Sequence, residues 1–524
     1  METLRADVGI IGGGLGACAA ALAAARAGRR VILTEETHWI GGQLTNQAVP
    51  PDEHPWIEDF GATASYRALR QSIREYYRSY LPLTDRARAT AHLNPGNGWV
   101  SRLCHDPRVA VAVLHQMMAP YQLSGRLLVL HPHQPVEAWT QHDRVSAIAV
   151  RGLQSGRKVL IEAPYFIDAT PFGDLLELAG IEHVLGAESR ADTGEPHAAL
   201  EADPRDQQAI TVCFAMEHLP GEDHTIDEPS QYKLWREVRP PGWPGPLLGW
   251  TTMRPETHEP LRRHLFDAPD DLPWWRFRRI LDASNFEAGF ARSDITVVNW
   301  PQNDYFFGAV VGVPPEEQAR NVEAARQLSL SFFYWLQTEA PRSDGGVGYP
   351  GLRLRGDVVG GSADGLALAP YVRESRRIRA ELTVLEQHIG HPLRKHGAEK
   401  FPDSVGVGCY RIDLHPRVSG AGYLDIGCWP FQIPLGAMIP VRVENVLPGG
   451  KNLGVTHVTN GAFRLHPVEW NVGEVAGWLA AFCLEKQVPP RAVRNDARRL
   501  GEFQSLLSRQ GVELAWPSPS PPAL

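Results

Sequence analysis

The residues best suited to proton transfer and to anion or hydroxyl recognition fall in three stretches. The first is Thr456-His457-Val458-Thr459-Asn460-Gly461-Ala462-Phe463-Arg464-Leu465-His466. An arginine fork meets anionic oxygens with fixed geometry. An imidazole, with an unperturbed pKa of about 6.5, exchanges protons near neutral pH. Arg464 and His466 are therefore the first candidates for a reaction centre, with His457 and Arg373 as second choices. Arg373 belongs to Pro370-Tyr371-Val372-Arg373-Glu374-Ser375-Arg376-Arg377-Ile378. Pro370 suits the first turn of a helix. A helix over 371–388 puts Arg373, Arg376 and Arg377 on one face, which is also the pattern of a plain solvated basic face. The third stretch is Tyr410-Arg411-Ile412-Asp413-Leu414-His415. Strand alternation sets Tyr410, Ile412 and Leu414 on one side and Arg411, Asp413 and His415 on the other. That fits a pocket wall or an ordinary half-exposed strand. Asp52-Glu53-His54 reads as a loop, because three adjacent residues rarely converge on one ion, and no metal is expected. Cys104-His105 has no second thiol nearby and reads as a buried structural cysteine.

The elements that must position these groups begin at residues 5–42, RADVGIIGGGLGACAAALAAARAGRRVILTEETHWIGG. Val8–Ile11 is a short apolar run, suited to a strand buried on both faces. Gly12, Gly14 and Ala17 follow as G-x-G-x-x-A, for a tight turn, close approach of a pyrophosphate, and close helix packing. Residues 15–27 are nearly all Ala and Leu, strong helix formers. The N-terminus of that helix offers free N–H groups to phosphate. Val31–Thr34 is the next strand, and Glu35 stands where a ribose hydroxyl is gripped. Ile40-Gly41-Gly42-Gln43-Leu44-Thr45 is the following loop. Helices are expected over 64–80 and around Val109–Met118. Strands are expected at 127–130, 145–150 and 158–161, then Tyr165-Phe166-Ile167-Asp168-Ala169-Thr170, whose small residues leave room for a dinucleotide. Residues 186 to about 430 differ in texture, with aromatic and Pro-rich loops and two helices, about 315–340 and 371–388. Near the C-terminus, strand Val446–Pro448 runs into Gly449–Asn452, and a helix opens at Gly473-Glu474-Val475-Ala476-Gly477. From Trp516 the chain is rich in Pro and Ser and reads as disordered.

Composition sets the outer bounds. The chain has 524 residues, 43% hydrophobic and 21% charged, which describes an ordinary globular protein of two or three structural units. A net charge of -8 disfavours nucleic acid or an anionic membrane as partner. No stretch has the length and apolarity of a membrane span. Six cysteines without C-x-x-C spacing suggest reduced thiols and a cytoplasmic location, and argue against zinc or an iron–sulfur cluster.

Several of these stretches resemble a family. GGGLGA, TEETHWIGGQLT, PPDEHPWIEDFG, IDATPFGDLLELAG, NWPQNDY, PYVRESRRI, CYRIDLHP, FQIPLGAMIP and PGGKNLGVTHVTNGAFRLHPVEWNVGEVAG are similar to the bacterial FAD-dependent oxidoreductases of the FAD_oxidored type, within the glutathione-reductase-like flavoprotein superfamily. The resemblance implies an α/β fold: a Rossmann-like FAD-binding domain, with a parallel sheet and an antiparallel β insert, carrying an inserted α+β substrate domain. Residues 1–185 and 431–490 would form the discontinuous FAD domain, 186–430 the substrate or cap domain, and 491–524 a C-terminal extension. It implies non-covalent FAD held by Gly12, Gly14, Ala17 and Glu35, with Gly41, Gly42 and Gln43 along the pyrophosphate or flavin edge. Asp168, Ala169 and Thr170 match a second flavin-contacting strand, with Pro171 where relatives show Gly. Asn452, Gly454, Glu474 and Gly477 match a C-terminal flavin-contacting loop and helix. Arg464 is similar to the arginine that holds substrate carboxylate in fumarate-reductase-like flavoproteins, although Phe463 and His466-Pro467 depart from that pattern. The expected activity is hydride transfer between a polar, hydroxyl-bearing small molecule, such as a sugar derivative or hydroxy acid, and flavin N5. The alternatives are reduction of an activated C=C bond and a structural, non-redox FAD. Substrate identity, electron acceptor and oligomeric state stay open.

Overall fold

A computed structural model describes residues 2–266, 272–420 and 422–524. β1 (Glu2–Arg5) leads into β2 (Val8–Ile11), whose four residues are all buried. Helix α1 (Leu15–Arg26) and strand β3 (Val31–Thr34) complete the first βαβ unit. α2 (Ala64–Tyr80) starts where the Thr63 side chain accepts from Tyr66 N–H, and α3 (Pro107–Leu123) starts where Asp106 accepts from Arg108 N–H, with Pro107 in the first turn. Next come β4 (Leu127–Leu130), β5 (His133–Gln141), β6 (Arg144–Gly152), β7 (Lys158–Glu162) and β8 (Tyr165–Asp168).

Two sheets result. β8, β2, β3 and β4 join the late strand β18 (Val446–Pro448) in a five-stranded parallel sheet, in the order β18-β8-β2-β3-β4. Its five C-terminal ends lie together, the usual place for a ligand in an open α/β sheet. β1, β7, β6 and β5 form the smaller insert sheet. Strand β5, absent from the expected set, is largely exposed and polar and so carries little apolar signal.

The middle of the chain builds small antiparallel sheets around an aromatic core. β9 (Ile210–Thr211) lies between β13 (Asp304–Tyr305) and β15 (Tyr371–Val372). β10 (Phe214–His218), β11 (Arg279–Leu281), β12 (Ile295–Val298) and β14 (Leu352–Leu354) form a four-stranded sheet. Helix α4 (Pro315–Thr338) covers this region, and its buried Phe332 and Phe333 share a core with Trp300, Trp335 and Phe214. β16 (Ile412–Leu414) pairs with β17 (Leu424–Ile426). The chain returns through β18 to α5 (His457–Phe463), α6 (His466–Lys486) and α7 (Ala497–Arg509).

Three expectations are corrected. Residues 371–388 are not one helix. β15 pairs with β9, and the N–H groups of Ile378 and Val384 donate to the carbonyls of Asn452 and Gly454, so the backbone bonds go to a distant segment. The helix expected to open at Gly473 opens at His466. The tail read as disordered is held: Trp516 Nε1 donates to the Phe431 carbonyl, its ring packs edge-on to His54 and Phe60, and Leu524 and Cys428 exchange backbone hydrogen bonds.

Candidate functional site

The dinucleotide turn sits between α1 and α6. Gly12 has φ +93°, and a Cβ there would lie 2.4 Å from the Ala169 carbonyl oxygen, so the turn admits only glycine. A Cβ on Gly16 would lie 1.8 Å from the Gly449 oxygen, and one on Gly473 would lie 1.9 Å from the Gly16 oxygen. Gly14 differs: it is half-buried, and its missing Cβ faces a gap bounded by Glu469 Oε1 at 3.1 Å and Ala169 O at 3.4 Å. No side chain of its own caps α1, and no acid lies in its first turn. Glu469 reaches across instead and accepts from Gly16 N–H at 3.2 Å. Glu35, at the end of β3, accepts from Gly13 N–H at 3.0 Å, from both donors of Thr37, and from Asn46 Nδ2. Burial pushes its carboxyl up against those four bonds.

The neighbouring strand ends carry polar atoms without partners. Asp168 accepts from Thr170 through Oδ1, but its Oδ2 is buried and unpaired, and burial pushes the carboxyl up to about 7. Asn46 Oδ1 and Gln47 Oε1 are likewise buried and unpaired. Asn452 Nδ2 donates to the Asp168 carbonyl and ties β18 to β8. Lys451 is buried beside Glu469, and burial lowers its ammonium. A helix N-terminus without a cap of its own, an acid at the next strand end and orphaned polar atoms between them fit a dinucleotide. Of the residues expected at the cofactor, Gly12, Gly14, Ala17, Glu35, Gly41, Gly42, Gln43, Asp168, Ala169, Thr170 and Asn452 lie together around this turn and would hold the group.

Three residues expected at the flavin do other work. Gly454 packs against Ala380, which a Cβ would meet at 2.5 Å. Glu474 lies in the middle of α6 and accepts from Ser65 Oγ. Gly477 packs on Ala20 of α1, whose oxygen a Cβ would meet at 2.4 Å. The Gly473-x-x-x-Gly477 spacing is the signal that marks this close helix crossing.

A chain of hydrogen bonds, closed by one ion contact, leads from the turn to part-exposed His415. Gln43 Nε2 donates to Glu469 and to the Arg464 carbonyl, and Tyr371 O–H donates to Gln43 Oε1 at 3.4 Å. Arg464 donates to Tyr371 Oη at 3.3 Å and to Asp413 Oδ2 at 2.9 Å. Asp413 Oδ2 lies 3.6 Å from His415 Nε2. His415 Nδ1 donates to Asp304 Oδ2 at 2.6 Å. Asp304 also accepts from Arg373 at 3.0 Å. Burial pushes Asp304 and Asp413 up, but Arg373 and His415 around the first, and His415 and Arg464 around the second, hold both below the ordinary carboxylate range. His415 is one-fifth exposed and lines a cleft of ≈ 270 Å³ with His197, His258, Arg417 and Tyr423.

The expected reaction centre is thus redistributed. His466 is fully buried, and both ring nitrogens are committed to backbone: Nδ1 accepts from Asp52 N–H at 3.1 Å and Nε2 donates to the Val49 carbonyl at 3.2 Å. Burial lowers it to about 4. It pins the loop 49–52 and has no ring nitrogen left for a substrate. Arg464 is buried and neutralised by Asp413, which removes it as a free carboxylate receptor. Arg373 is buried among Thr211, Asn299 and Asp304, not on a basic helix face. His457, at the opposite end of α5 from Arg464, donates through Nδ1 to Glu374, itself paired with Arg377. Asp52, Glu53 and His54 diverge to Arg278, Arg70 and the Gly61 carbonyl. Burial pushes the Cys104 thiol up to about 12. The residues missed were Asp304 and Arg278. Asp304 stood in the NWPQNDY stretch, but nothing local tied it to His415.

A comparison with protein families agrees with this dinucleotide architecture. A family model described as FAD dependent oxidoreductase matches residues 7–507. The chain belongs to this family. FAD is its cofactor. No curated protein matches it. Among solved structures, the myxobacterial chondrochloren halogenase CndH is 13% identical over 99% of this chain and 85% of that one, with a TM-score of 0.33. A geranylgeranyl bacteriochlorophyll reductase-like protein of Thermoplasma acidophilum is 11% identical over 97% and 85%, with a TM-score of 0.33. Mycobacterium smegmatis Sdh1 in complex with UQ1 is 14% identical over 40% of this chain and 46% of that one, with a TM-score of 0.26. The first matched structures are covered over less than half of their own length: 46%, 24% and 42%. Among the described residues no helix is long and apolar enough to cross a membrane.

Proposed function

We propose that the enzyme oxidises a neutral, hydroxyl-bearing small molecule in the His415 cleft, with His415 as the base. Bound FAD supplies the acceptor for the two electrons of the substrate C–H bond. Asp304 accepts from Nδ1–H, so in the neutral imidazole the lone pair is on Nε2. That atom takes the hydroxyl proton as the carbonyl forms, and Asp304 steadies the imidazolium. The carrying observation is this Asp304–His415 pair opening on a cleft.

The charge balance supports a neutral substrate over an anion. Arg278 is paired with Asp52, Arg464 with Asp413 and Arg373 with Asp304. Among the described residues of this cluster each guanidinium thus has a carboxylate, so we favour a sugar or sugar alcohol over a hydroxy acid. Residues 1–185 with 431–490 would hold FAD, and 186–430 would supply most of the substrate side. A cytoplasmic location is also proposed, since all six cysteines are buried and unpaired. The test is anaerobic bleaching of the flavin absorbance with a panel of sugars, sugar alcohols and hydroxy acids. Bleaching by neutral members supports the reading. Bleaching by anionic members alone, or by none, contradicts it.

A further inference from the structure

Two other imidazoles line the cleft with His415, and each is pinned at one nitrogen. His197 Nδ1 donates to Glu386 Oε1 at 2.7 Å, and the His197 backbone N–H donates to Glu386 Oε2 at 3.2 Å. Glu386 is fully buried, so this clamp is fixed from inside. His258 Nε2 donates to the Tyr423 carbonyl at 2.8 Å. His258 also has φ +61°, a left-handed conformation that residues with a side chain rarely adopt. Tyr423 in turn packs its ring 5.5 Å from His415.

The partners dictate the tautomers. A carboxylate or a carbonyl only accepts, so each pinned nitrogen carries the hydrogen. The opposite nitrogens, His197 Nε2, His258 Nδ1 and His415 Nε2, then present lone pairs. No hydrogen bond from the described residues meets any of them, and the nearest carboxylate oxygen to His415 Nε2 is Asp413 Oδ2 at 3.6 Å. Three acceptors around one small cleft call for a ligand with several donors. A carboxylate group has none to give, and among the described residues the one arginine lining the cleft, Arg417, is held by Asp206 at 3.4 Å. A metal ion would need convergent ligands, and among the described residues no group of three His, Cys, Asp or Glu is placed to hold one. At ≈ 270 Å³ the cleft is at the small end of ligand sites.

We propose that His197 and His258 are specificity-determining residues that, together with His415, read the hydroxyl groups of a neutral polyhydroxylated ligand of sugar or sugar-alcohol size. This rests on the reading of the His415 cleft as the substrate site.

The test uses the FAD-loaded full chain with His197→Phe, which keeps a ring but loses the acceptor, and His258→Gly, which removes the ring and relieves the left-handed φ. FAD content and melting temperature check that both fold. Binding to the oxidised protein is read by calorimetry with sorbitol and D-glucose as neutral probes and D-gluconate as the anionic one. The expected result is that at least one neutral probe binds, that gluconate binds no tighter, and that each variant raises the neutral probe's Kd about tenfold, one hydrogen bond's worth. In turnover with any neutral substrate that bleaches the flavin, KM rises about tenfold and kcat changes less than twofold. The proposal is overturned by unchanged Kd and KM in both variants, by tighter binding of gluconate, or by failure of both neutral probes to bind. Binding that depends on both histidines without any flavin bleaching overturns the oxidation reading alone. Bleaching with unaltered KM in the variants overturns this proposal alone.

Discussion

His466 and His415 show how the surroundings of an imidazole decide its use. His466 looked the better acid/base from its place between two cofactor-proximal segments, but backbone groups take both of its nitrogens. Its role is a stability role with a pH signature. Burial lowers its pKa to about 4, below the unfolded value of about 6.5. The unfolded chain therefore binds the extra proton first. The stability contributed by neutral His466 is fully present above about pH 6.5 and is lost as pH falls toward 4, an effect of up to ~3 kcal/mol. In melting experiments the gap between wild type and His466→Gln should shrink from pH 7 to pH 4; a gap that stays constant contradicts this. For Arg464 we expect a fold defect before a binding defect. Arg464→Ala leaves half-buried Asp413 with His415 alone and should cost about 1–3 kcal/mol in urea unfolding. A loss below about 1 kcal/mol would contradict the pairing. The Asp413 and His415 face was legible from strand alternation. Their link to Asp304 was not, because His415 and Asp304 are 111 residues apart and no local pattern encodes a long-range ion pair.

Among the elements, the first βαβ unit was legible in sequence because its signals are local: a buried run, a glycine turn and a helix of small residues. The segment 371–388 was not, because its N–H groups find carbonyls in 452–454, and helix periodicity cannot see that competition. The glycines at the α1–α6 crossing divide into two kinds with different expected effects. Gly16→Ala forces a methyl against the Gly449 carbonyl and should destabilise the fold by about 3 kcal/mol or more. Gly14→Val meets looser contacts, so the protein should fold but lose FAD. Thermal unfolding and flavin content, measured on both variants, check this. A Gly14→Val protein that keeps its FAD, or a Gly16→Ala protein as stable as wild type, would contradict the packing described.

Taken as a whole, the molecule brings distant parts of the chain to one site, as β18 and α6 close a sheet and a turn begun at residue 8. The C-terminal tail belongs to that closure. Trp516 packs on the loop that carries His54, and Glu513 accepts from Gly61 N–H at 2.8 Å. Its Pro and Ser content read as disorder because composition does not register one anchoring tryptophan. Trp516→Ala should lower stability by about 2 kcal/mol in urea unfolding; no change would mean that the tail does not hold the loop. The central claim, that His415 takes the substrate proton, is tested most directly by stopped-flow flavin reduction in His415→Ala, using a substrate that bleaches the wild-type flavin. We predict full FAD content, a reduction rate about 10²–10⁴-fold lower, and partial recovery on adding imidazole. Wild-type reduction rates in that variant would contradict the account.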